Sequence, residues 1–131
     1  GTPWLAMNPN YRQINVREQE ARTDSVLAYY RRLVHLRKAD AYRETFTYGI
    51  FEPAYQEMAD VFAYYRVSGE SGQRILVAAN FGTDAVSLPL AYPCRQVLLS
   101  NLRAESAVET ACEKANALTL ESCEVAVIEL G

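Results

Sequence analysis

The chain has 131 residues, half of them hydrophobic, with 13 Lys and Arg against 16 Asp and Glu for a formal net charge of −3. That length fits one domain burying about two thirds of its unfolded surface, and the acidic balance argues against nucleic acid or an anionic membrane as partner. No run approaches the roughly 18 apolar residues of a spanning helix, and no signal peptide is expected.

Three cysteines, Cys94, Cys112 and Cys123, are odd in number and lack Cys-x-x-Cys spacing. They fit free thiols in a reducing, cytoplasmic setting better than a disulfide framework. With His35 the single histidine, no ligand set for zinc is apparent, and neither metal nor cofactor is expected. The first residue is not methionine, so the chain is expected to be a piece of something longer.

Residues 1 to 22 hold neither a helical nor a strand period for long. Pro3 and Pro9 restrict the residues before them to extended backbone, and Asn8-Pro9-Asn10 reads as a turn. Trp4, Leu5, Met7, Tyr11, Ile14 and Val16 make this leader too apolar for a free linker. Either it straps over the domain's own core or it covers a neighbouring domain.

Thr23 to Lys38 is the organising element. At about 100° per residue, Val26, Tyr30, Leu33 and Arg37 share one line, with Leu27 and Val34 on one edge and Tyr29 and Leu36 on the other. His35 lies opposite, with Arg31, Arg32 and Lys38. Thr23 or Asp24 is positioned to cap the helix, and the cations near Lys38 oppose the negative end of its dipole. The apolar face spans about half the circumference, wider than the ~100° stripe of a single contact, so this helix is expected to need partners on two sides. Arg37, in the middle of that face, should pair with a carboxylate or reach a helix-end carbonyl.

After Ala41 the period changes to two. Phe46–Phe51 is a short strand candidate ended by Glu52-Pro53. Val61–Val67 and Arg74–Phe81 form a hairpin across Ser68–Gly72. Ala85–Leu88, Gln96–Ser100, Leu118–Leu120 and Cys123–Leu130 are the remaining strands, and the acidic stretch Asn101–Asn116 reads as a surface excursion with at most a helical turn. The predicted fold is mainly β: an antiparallel β-sandwich of about 7–8 short strands with one N-terminal α-helix docked on it and no second long helix.

The acids (Glu52, Glu57, Asp60, Glu70, Asp84, Glu105, Glu109 and Glu113 among them) scatter through turns and loops rather than pairing across a cleft. No histidine triad is credible around His35, and no glycine-rich phosphate loop occurs. The nine tyrosines could stack on sugars if exposed in a row, but on alternating strand positions they more often fill a core.

Trp4-Leu-Ala-Met-Asn-Pro-Asn-Tyr11, Ile14-Asn-Val16 and Asp24-Ser-Val26 through Tyr29-Tyr-Arg-Arg-Leu-Val34 to Leu36-Arg-Lys38 resemble the end of the catalytic barrel in α-glucosidases of glycoside hydrolase family thirteen. The similarity is to the oligo-1,6-glucosidase, dextran glucosidase and trehalose-6-phosphate hydrolase group. Val61-Phe-Ala-Tyr-Tyr-Arg66 and Ile75-Leu-Val-Ala-Ala-Asn-Phe81 resemble that family's C-terminal sandwich. The resemblance implies that residues 1–40 are a leader loop and the last helix of a (β/α)8 barrel, and that residues 41–131 are the C-terminal β-sandwich domain. The catalytic barrel would be the partner, and α-linked gluco-oligosaccharides the substrates of the full-length enzyme. Catalytic acids and calcium sites of such enzymes lie on earlier strands, so no catalytic or metal residue is assigned here. Trp4, Leu5, Tyr11, Val26, Tyr30, Leu33 and Arg37 are the residues expected to pack on the barrel, and left bare they should drive self-association. The alternative is an autonomous carbohydrate-binding β-sandwich module.

Overall fold

The computed structural model describes Gly1 and residues 4–131, so the constraint expected from Pro3 lies outside the described residues. The chain divides into two compact units, Gly1–His35 and Leu36–Gly131.

In the first unit the leader is more ordered than its sequence implies. Pro9–Arg12 is a single 3₁₀ turn, followed by helix α1, Val16–Glu20. Asn8, extended before Pro9 as expected, accepts the Asn10 N–H at 3.1 Å. Asn15 caps α1 by accepting the Glu18 N–H at 3.1 Å. Helix α2 runs Val26–Lys38, starting three residues later than expected, because Ser25 and not Thr23 or Asp24 is its cap. Ser25 Oγ accepts the Ala28 N–H at 3.1 Å and donates to the Gln19 carbonyl at 2.8 Å. Asp24 turns instead to Arg22, forming an exposed ion pair at 2.8 Å.

The second unit is an antiparallel β-sandwich of seven strands. A five-stranded sheet has the order β1-β2-β3-β7-β5, built from Ile50–Ala54, Val61–Val67, Arg74–Asn80, Val125–Leu130 and Cys94–Ser100. A two-stranded sheet pairs β4, Val86–Pro89, with β6, Ala117–Leu120. The expected hairpin sets Val61 opposite Asn80 and Val67 opposite Arg74. The core lies between the sheets. Ala63, Leu76, Ala78, Ala126 and Ile128 face Leu88, Leu118 and Leu120, with Tyr55 and Tyr65 packed at the margin. For those two tyrosines the core-filling reading holds.

Two expectations for this unit are corrected. Phe46 is helical, not the start of a strand: Arg43–Tyr48 forms α3, and β1 begins only at Ile50. Arg66 reaches up from β2 to the Thr45 and Phe46 carbonyls at 3.4 and 3.2 Å, satisfying the last turn of α3. Pro53 does not end β1 but lies inside it, opposite Tyr64; β1 is an edge strand, where a missing N–H costs no ladder bond. The second correction is Asn101–Asn116. It contains α4, Glu105–Ala115, an eleven-residue helix with Val108 and Cys112 buried. Those two positions, four apart, share a face and join the core cluster.

Candidate functional site

Among the described residues, Glu124 is the one acid fully shut away from solvent, 0 % exposed. Arg103 donates to it from Nε at 2.9 Å and Nη2 at 2.8 Å, the Ser100 hydroxyl at 3.0 Å and the Glu121 N–H at 2.8 Å. Burial pushes this carboxyl up, but the Arg103 guanidinium, the Glu121 N–H and the Ser100 hydroxyl outweigh it and hold Glu124 below the usual range. The bonds from Arg103 and Ser100 fix the 100–103 turn to the residue ahead of β7, and the one from Glu121 closes the 121–124 turn. These bonds make it a structural pin.

Asp60 and Asp84 line a hollow of about 280 Å³ together with Met58, Val61, Asn80 and Val86. The Asn80 amide there is taken up by the Asp84 and Glu121 carbonyls at 2.8 and 3.0 Å and by the Gly82 N–H at 2.9 Å. Both of its N–H groups are thus committed to the backbone. Among the described residues, no group of three or more His, Cys, Asp or Glu side chains is placed to hold a metal ion.

The feature that stands out is apolar and belongs to residues 4–37. In the leader and α2 the polar side chains are occupied locally: Asn15 Nδ2 donates to the Tyr11 carbonyl at 3.2 Å, Gln19 Oε1 accepts the Leu27 N–H at 2.9 Å, and Arg31 pairs with Glu20 at 2.8 Å. The apolar side chains are left outside. All seven residues expected to pack on a barrel are exposed: Trp4 at 91 %, Val26 at 77 %, Tyr30 at 62 %, and Leu5, Tyr11, Leu33 and Arg37 with them. Val26, Tyr30 and Leu33 form a bare line along α2, while Leu27, Tyr29, Val34 and Leu36 on its two edges are half-buried. Arg37, one turn past Leu33, is exposed too. Met7, Ile14 and Val16 are exposed as well, and Ile14 lines one hollow with Val26; their apolarity in a leader was the signal.

The residues ahead of the sandwich thus carry an exposed apolar line, Val26, Tyr30 and Leu33, along α2. Residues 1–49 match the family model described as the α-amylase catalytic domain. The chain is 36 % identical over 109 residues to a glucan 1,6-α-glucosidase of Streptococcus pneumoniae, covering 83 % of this chain and 19 % of that protein. It is 37 % identical over 84 residues to an oligo-1,6-glucosidase of Bacillus cereus, covering 64 % and 14 %. Among solved structures it superposes over its whole length on 22 % of an isomaltulose synthase from Klebsiella sp. LX3, at a TM-score of 0.80 and 28 % identity. The chain therefore resembles the C-terminal portion of a glycoside hydrolase family thirteen α-glucosidase, and it spans about a fifth or less of the length of these relatives.

Proposed function

We propose that this chain is the non-catalytic C-terminal part of a cytoplasmic α-glucosidase and stabilises that enzyme's catalytic barrel. In this reading residues 1–40 are the leader and last helix of the barrel, and residues 41–131 are the C-terminal sandwich. The full-length enzyme hydrolyses α-glucosidic bonds of short gluco-oligosaccharides. The observation that carries the reading is the bare line Val26–Tyr30–Leu33 with Trp4, Leu5 and Tyr11, all inside the stretch that matches a catalytic-domain model. A helix apolar on its outward side is a helix built to be covered. Free thiols at Cys94, Cys112 and Cys123 support the cytoplasmic assignment.

The test is a comparison of the 131-residue chain with the longer polypeptide that carries it, using isomaltose, maltose, trehalose 6-phosphate and chromogenic α-glucosides. The expected result is turnover by the longer protein and none by the chain. Turnover by the pure chain that is lost on substituting one of its own acids would overturn the proposal.

A further inference from the structure

Helix α4 is tied along the edge strand β5 in steps. Glu105 Oε1 accepts the Ser100 N–H at 3.4 Å, and one turn on Glu109 Oε2 accepts the Val97 N–H at 2.9 Å. Helix and strand therefore run in opposite directions. Glu105, Glu109 and Cys112, spaced by four and three residues, share one face of α4. The next step along that face is Cys112, and the matching step back along β5 is Cys94. There the two meet. Cys112 is 1 % exposed and belongs to the core cluster, and Cys94, opposite Leu130 at the start of β5, packs against the same cluster. Burial raises both thiols, and each is the other's hydrogen-bond partner.

Cys123 stands apart from this pair. Its carbonyl accepts the Asn101 side-chain amide at 3.0 Å, just past the far end of β5. A strand rises about 3.3 Å per residue, so Cys94 at the start of β5 is well outside the ~4.4–6.8 Å between Cα atoms that a disulfide spans. Cys94 and Cys112 also differ in access, one half-buried and the other buried. That asymmetry suits a pair in which one sulfur meets an oxidant and the other resolves the product.

We propose that Cys94 and Cys112 form an oxidative modification site, at which a peroxide closes a disulfide that staples α4 to β5. The Cys94 thiolate attacks one peroxide oxygen, the O–O bond breaks and water leaves, so that Cys94 becomes a sulfenic acid. The Cys112 sulfur then attacks the Cys94 sulfur, the S–O bond breaks, and the Cys112 proton leaves with the hydroxyl as a second water. Two thiols and one peroxide thus give one disulfide and two waters. Thiolates are the reactive form and burial keeps both thiols protonated, so closure is slow. Reversal is slow too, because Cys112, pushed up to about 12, is a poor leaving group when a thiol attacks Cys94.

Non-reducing peptide mapping of the 131-residue chain in a Cys123→Ser background, before and after hydrogen peroxide, tests the site. Untreated, Cys94 and Cys112 are both expected to alkylate once the chain is denatured. Treated, neither is expected to, a Cys94–Cys112 cross-linked peptide appears, and dithiothreitol restores both labels. The treated chain is expected to melt about 5 °C or more higher, since the link closes a loop of the unfolded chain, and to lose that gain on reduction. Adding Cys94→Ala should abolish the gain and leave Cys112 open to alkylation after denaturation. The unsubstituted chain should yield the same cross-linked peptide, so the result does not depend on how the variants fold. Alkylation of both cysteines after treatment overturns the proposal. So does Cys94 carried to the sulfinic acid with Cys112 still a thiol, or a link that joins two chains.

Discussion

At the scale of single residues, the Arg103–Glu124 pair sets the acid sensitivity of the sandwich. Glu124 is held below its usual range when folded, so its contribution is fully present above the unfolded pKa of about 4.3. It is lost as pH falls from there through the lower folded value. Urea titrations from pH 7 to pH 3 are expected to show stability falling across that window, and Glu124→Gln to flatten the fall. Arg103→Ala, which strands a carboxylate that is 0 % exposed, should cost about 3 kcal/mol at pH 7; an unchanged urea midpoint would mean the pair is idle. The cysteines yield a second expectation. Cys123 is exposed, Cys94 half-buried and Cys112 buried. Burial raises both of the latter, Cys112 to about 12, and thiolates rather than thiols react. Alkylation followed by mass spectrometry should therefore label Cys123 first, Cys94 slowly and Cys112 only after unfolding, with three labels in all. Two labels missing after denaturation would reveal a disulfide.

At the scale of elements, α4 is the piece that ties the acidic stretch into the core. Val108 is 1 % exposed and Cys112 lies one turn on, both in the core cluster. Glu109 accepts the Val97 N–H from β5 at 2.9 Å, so the helix is held to the sheet edge by polar and apolar contacts together. Val108→Ala should lower stability by about 2 kcal/mol through lost burial, and Ala107→Ser, on the exposed side, by a few tenths of that. Comparable effects at both sites would mean α4 is a loose excursion after all. That excursion is how the sequence alone reads, because Val108 and Cys112 are only two apolar turns among acids and alanines, too few to outweigh the charge pattern. The strands, by contrast, are legible. Val61–Val67 and Arg74–Asn80 are short runs rich in aliphatic, β-branched and aromatic residues bounded by the Ser68–Gly72 turn, a signal local to the sequence. The Phe46 error has a tertiary cause, since the last turn of α3 is closed by Arg66, twenty residues downstream. The capping error at α2 is similar: three adjacent residues, Thr23, Asp24 and Ser25, can all cap, and the bond from Ser25 to the Gln19 carbonyl decides among them. The line Val26, Tyr30 and Leu33, exposed in the structure, was readable in advance because its spacing of four and three residues is local to the helix.

At the scale of the whole molecule, the leader and α2 present apolar surface that water does not favour. Trp4, Leu5, Met7, Ile14, Val26 and Tyr30 are all more than half exposed. At about 25 cal/mol per Å², covering roughly 1,000 Å² has a gross hydrophobic term comparable to or larger than a typical net stability of 5 to 15 kcal/mol. The same surface that would hold a barrel in place should therefore bring copies of the isolated chain together. Light scattering and sedimentation of the 131-residue chain are expected to show a mean mass rising with concentration. The double variant Tyr30→Lys, Leu33→Glu should restore a monomer without unfolding α2, because both positions already lie in solvent and both new residues favour helix. Added salt separates the causes: ion pairs weaken as charges are screened, whereas apolar association persists or strengthens. A chain that stays monomeric at every concentration, with α2 formed and Tyr30 open to solvent, would show that this face tolerates water. It would also remove the reason to assign it a covering domain.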